Sequence, residues 1–96
     1  MHLNLVDTLG ATGSTDSLLM RAGFVSLEGT WTGSVAVEVD AMGDGSWTPL
    51  TDITSTPHAW TANTTITIDN GAPVKTRVTF TRSSGTLEVG MVGDPG

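Results

Sequence analysis

His2 and His58 are the only imidazoles in the chain, and there is no cysteine, so the scope for general acid–base or nucleophilic chemistry is narrow from the start. His58 sits in Thr56-Pro57-His58-Ala59-Trp60, with Asp52 and several serines close by in sequence. A Ser/His/Asp set can be drawn from those residue types, but no G-x-S-x-G elbow accompanies it. The geometric demands of a triad make a loop or strand-end histidine the better reading. His2 lies beside a terminus that is expected to fray. The residues therefore predict no catalytic site and no enzymatic activity.

Metal and phosphate chemistry fare no better. Asp40 and Asp44 fall in one turn, Asp-Ala-Met-Gly-Asp-Gly, which invites a calcium reading. An EF-hand loop needs further oxygen ligands and a Glu at its twelfth position, and that position, 51, is Thr. A solvated hairpin tip is the expectation. Without a Cys/His cluster there is no structural zinc, and the glycines match neither G-x-x-x-x-G-K nor a helix-opening G-x-G-x-x-G. No cofactor is expected.

The tryptophans are more informative. Trp31, Trp47 and Trp60 accompany just two Phe and no Tyr. Exposed on one sheet face they would stack on sugar rings, as in a carbohydrate-binding module. Buried, they are core anchors or interface hot spots. A chain with so few other aromatics needs them for its core.

The elements that must position these residues read as strands. The hydrophobic period is two almost throughout, with no trustworthy helical stretch. Val35, Val37 and Val39 point one way across residues 34–40, with Ala36 and Glu38 opposite. The glycine-rich turn after Asp40 predicts a return strand over 47–53, and Pro49 puts it at an edge or a bulge. Residues 64–69 alternate Thr and Ile and lead into Asp69-Asn70-Gly71, a strong turn signal. Residues 74–82 and 86–92 read as two strands of a hairpin turning at Ser83-Ser84-Gly85. In the first third, Leu3, Leu5 and Leu9 suggest an opening strand whose strict alternation Val6 breaks. Residues 18–22 and 24–28 read as two strands or one bent at Gly23, with 29–33 as a connector. The whole predicts an all-β chain: an antiparallel β-sandwich or jelly roll of roughly seven to eight short strands, one domain over residues 1–96.

Composition limits the partners. A chain of 96 residues buries about 60–65% of its unfolded surface and is marginal alone, and it has no disulfide to help. Burial against a partner is one remedy. Charged residues are 15% of the chain, against about 25% in typical soluble domains. Such a Thr- and Ser-rich surface suits contact with other protein. The net charge of −6, with only Arg21, Lys75, Arg77 and Arg82 as bases, argues against nucleic acid and against an anionic membrane. No signal peptide and no membrane span is legible, so synthesis in a cytoplasm is expected.

One stretch carries a resemblance. Residues 24–35, FVSLEGTWTGSV, continue into AVEVD at 36–40 and GDGSW at 43–47; VKTRVTFTRSSGTLEV closes the pattern at 74–89. This is similar to small β-sandwich virion structural proteins of tailed bacteriophages, of the capsid decoration (cement), head-fibre or tail accessory type. Lys75-Thr76-Arg77 stands where a Tyr-Arg pair is common in that pattern. The resemblance implies a virion component on the capsid surface, made in the bacterial host cytoplasm. It carries no catalytic residue.

The leading expectation is a capsid decoration protein that binds the outer shell and bridges capsid subunits. Its partner would be the major capsid protein or another virion protein, and a homo-oligomer, dimer or trimer, would match the lattice. The alternatives are a neck or tail accessory protein of the virion and a carbohydrate-binding module. Leu3, Leu5, Trp31, Met42 and Trp60 are the candidate contact residues, as large apolar side chains at termini, loops or edges.

Overall fold

A computed structural model describes residues 3–49 and 59–95. Its fold is all-β and antiparallel, with no helix among the described residues. The elements are β1 (Leu3–Leu9), β2 (Gly13–Ser14), β3 (Leu18–Asp40), β4 (Thr48–Pro49) and β5 (Thr64–Asp94). The expected seven to eight short strands are therefore corrected to five among the described residues, two of them long: β3 has 23 residues and β5 has 31.

The reason is that turn-type residues are used here to bend strands rather than to reverse them. Ser83-Ser84-Gly85 is no hairpin. Thr32 faces Ser84 and Gly33 faces Arg82, which leaves Ser83 as the extra residue of a bulge. β5 thus stays antiparallel to β3 from Lys75, opposite Asp40, to Asp94, opposite Ala22. At Asp69-Asn70-Gly71 the chain also keeps its direction. Asp69 faces Ala22 and Val74 faces Met20, so residues 70–73 swing out against Arg21. The Asn70 amide ties this bend down, donating to the Met20 carbonyl (2.9 Å) and the Thr76 hydroxyl (3.2 Å).

Because both long strands bend, the sheet has two sections. In the first, the order is β1, residues 87–94, residues 22–29, residues 64–69. In the second, residues 74–82 lie between 33–40 on one side and 18–20 with β2 on the other. Residues 33–40 are bordered in turn by β4 and by Trp60, whose backbone exchanges two hydrogen bonds with Val35. The corner between sections needs glycine. Gly33 and Gly85 have φ of 138° and 81°, and a Cβ on Gly85 would stand 2.6 Å from the Trp31 Cα.

One core serves both sections. Val25, Leu27, Ile66, Ile68, Leu87, Val89 and Met91 come from the first; Leu18, Met20, Val35, Val37, Val78 and Phe80 from the second. These are the alternate residues of each strand, as period-two patterning requires. Two polar residues inside are satisfied. Thr76 bonds Asn70 and the Val74 carbonyl, and the Thr15 hydroxyl accepts the Val78 N–H at 3.1 Å.

Candidate interaction surface

The acidic turn is a backbone cap. The Asp40 carboxylate, in a residue only 5% exposed, accepts N–H bonds from Gly43 (2.9 Å), Asp44 (3.2 Å) and Gly45 (3.0 Å). Asp44 accepts the Ser46 N–H at 2.9 Å. These oxygens close the turn. No group of three or more potential metal ligands exists among the described residues. Of the return strand expected over 47–53, the described residues contain β4, Thr48–Pro49, facing Val39 and Glu38. Positions 50–53, His58 with its neighbour Asp52, and His2 lie outside the described residues.

All three tryptophans are engaged with their own chain. Trp31 packs against the core, edge-on to Phe80 at 5.6 Å and 84°, and its indole N–H donates to Asn63 at 2.7 Å. Asn63 passes the link on to the Gly29 carbonyl at 3.0 Å. Trp60 is half-buried against the same core. Trp47 lies under the Arg77 guanidinium, 4.3 Å from the ring centroid, while Arg77 is paired with Glu38 at 2.9 Å. That stack of Trp47, Arg77 and Glu38 pins β4 to the outer side of the second section.

The other candidate contact residues divide. Leu3 and Leu5 are half-buried and pack on the core from β1. Met42 is 82% exposed at the tip of the acidic turn. The structure brings none of the five together into one exposed patch.

A patch does exist elsewhere, on residues the sequence reading passed over. Val6 is 75% exposed and Phe24 50%. Both lie on the outer side of the first section, where Val92 faces Phe24, Gly90 faces Val6, and Val92 and Gly90 are half-buried. Gly90 leaves a notch between Val6 and Phe24. On the far side of Phe24 is a shallow cavity of about 450 Å³, lined by Ala22, Thr67, Asp69 and Val92 among others. Phe24 is thus a ridge between two hollows on a face whose other side chains are mostly Thr, Ser and carboxylates. The signal was present: in each strand this is the apolar residue standing in the polar phase, Val6 between Leu5 and Asp7, Phe24 before Val25.

The same section is acidic throughout. Residues 3–9, 22–29, 64–69 and 87–94 contain Asp7, Glu28, Asp69, Glu88 and Asp94, and no Lys or Arg. Glu28 and Glu88 face each other across the strand pair, both exposed. Like charges so placed destabilise a sheet, and among the described residues neither has an ion-pair partner. Of the four bases, Lys75, Arg77 and Arg82 belong to the second section, and exposed Arg21 stands at the junction, at the end of the strands opposite Glu28 and Glu88.

No family model, curated protein or solved structure matches this chain.

Proposed function

We propose that this chain is a structural protein of a bacteriophage virion: a capsid decoration protein, folded as a β-sandwich, that binds the outer shell and bridges capsid subunits. The single observation behind this reading is the pair of exposed apolar side chains, Val6 and Phe24, beside half-buried Val92 on the outer face of the sheet. Apolar side chains gathered on the solvent side of a small domain favour protein contact. The likeness of residues 24–47 and 74–89 to phage virion proteins supplies the kind of partner. Those two stretches are also the ones that pair with each other along β3 and β5. The free edge of β1, which has no strand beyond it among the described residues, offers a second mode of contact by strand addition.

Copy number in purified particles of the phage encoding the chain tests the proposal, by quantitative mass spectrometry against the major capsid protein. A number comparable to the capsid protein is the expected result. A handful of copies would transfer the protein to neck, fibre or tail, and absence from particles would overturn the virion reading.

A further inference from the structure

The charge placement on the first section identifies what kind of surface it meets. We propose that the Val6–Phe24–Val92 face docks on a different protein that presents an apolar knob ringed by Lys and Arg; this rests on the shell-binding reading above and specifies the contact.

Three observations lead there. The apolar ridge is central, with Phe24 flanked by Val92 and Thr67 and with Val6 across the Gly90 notch. The carboxylates are peripheral: Glu28 and Glu88 stand at one end of the strands, Asp69 at the other. An apolar centre inside a charged rim is the usual anatomy of a docking patch. Finally, the facing pair Glu28 and Glu88 is a repulsion that no cation offsets by an ion pair among the described residues. A cation supplied by a partner converts it into attraction on both residues.

The same charges exclude the simplest alternative. A two-fold dimer through this face would bring carboxylates against carboxylates, because an isologous contact places each patch on its own copy. The partner is therefore not a second copy docking by the same face. The size of the face is also telling. Four strands at ~4.8 Å spacing and ~20 Å long offer about 400 Å², half of the ~800 Å² per partner in a standard interface. Tight attachment then needs several copies bound to one lattice, so that avidity supplements each weak contact.

Two experiments on the full chain decide the matter. In the first, amide shifts of isotope-labelled protein are followed against a synthetic peptide of alternating Lys and Leu. Saturable shifts are expected in residues 4–8, 22–28 and 88–94, fading as salt rises from ~50 to ~500 mM. Shifts centred on 33–40 and 74–82, or no saturable shift, would overturn the assignment. In the second, the chain is rebound to phage particles prepared without it. Phe24→Thr and the double variant Glu28→Lys/Glu88→Lys are each expected to bind roughly ten- to thirty-fold more weakly. Leu19→Thr, which removes an exposed apolar residue from the second section, binds as the unaltered chain does. Equal binding by all variants overturns the face and leaves shell attachment standing. An unaltered chain that ignores the particles overturns shell attachment, and the peptide shifts alone then decide the chemistry of the face. A sedimentation dimer that Phe24→Thr abolishes would replace the foreign partner with a second copy.

Discussion

Asp40 holds three backbone N–H groups from a position almost closed to solvent, so the turn at 41–45 depends on one carboxylate. Asp40→Ala leaves those donors without their acceptor and is expected to cost about 1–3 kcal/mol. Asp44→Ala loses a single exposed bond and should cost less than about 0.5 kcal/mol. Urea midpoints of the two variants check this, and equal losses would show that Asp40 is not the cap. Glu88→Gln should move the other way. Relieving its repulsion with Glu28 is expected to raise stability by roughly 0.2–1 kcal/mol, while weakening attachment to a basic surface. A variant both less stable and unaltered in binding would contradict the role given to that pair. These residues differ in how readable they were. The inner valines and the Leu87, Val89, Met91 series follow directly from period two. Val6 and Phe24 are equally legible as apolar residues out of phase with their strands, whereas size and a place at a terminus or loop do not mark an exposed side chain. The tryptophans show the opposite lesson: side-chain size marks burial as readily as contact, and Trp31 and Trp60 both pack on the core.

At the scale of elements, the difference between a reversal and a bend decides the fold. Gly and Asn permit positive φ, which tight hairpin turns and G1-type bulges both use. Composition alone does not separate them; what does is whether a long partner runs alongside. Here β3 passes beside Ser83-Ser84-Gly85, so β5 continues through it. The short strands expected from the sequence are therefore real stretches of β structure, joined at bends within β3 and β5 rather than ended there. Period and direction within each stretch were legible, whereas pairing depends on residues about fifty positions apart and was not. Two glycines separate the structural demands. Gly85→Ala places a Cβ against the Thr30 carbonyl and the Trp31 Cα in a positive-φ position, and should cost about 2 kcal/mol or more. Gly90→Ala meets nothing nearer than the Ser26 Cβ at 4.0 Å, with no positive φ. It should be neutral or stabilise by up to about 1 kcal/mol. Thermal midpoints of the two variants, compared side by side, test this assignment of the corner.

For the molecule as a whole, the consequence of two long bent strands is a shared fate. β3 and β5 each contribute to both sections, and the core cluster joins residues of both without a seam. Loss of packing in one section therefore loosens strands that the other section also uses. A sheet built from independent hairpins would behave differently, since each could open alone. Phe80→Ala removes the largest fully buried side chain, in the second section, and should cost about 3–5 kcal/mol. That is a large part of the ~5–15 kcal/mol that holds a typical domain together. The cost should spread across the molecule. In hydrogen exchange, amides of residues 24–27 and 89–92, in the first section, are expected to lose protection as much as those of 35–38 and 76–79. Trp31 packs on Phe80, and Trp47 and Trp60 flank the second section, so tryptophan fluorescence reports mainly that end, while far-ultraviolet circular dichroism reports the entire sheet. One unfolding transition seen identically by both probes is the result a single core requires. Separate midpoints, or a loss of protection confined to the second section, would mean that the bends are hinges between two weakly coupled halves. The acidic docking face would then sit on a half able to move by itself.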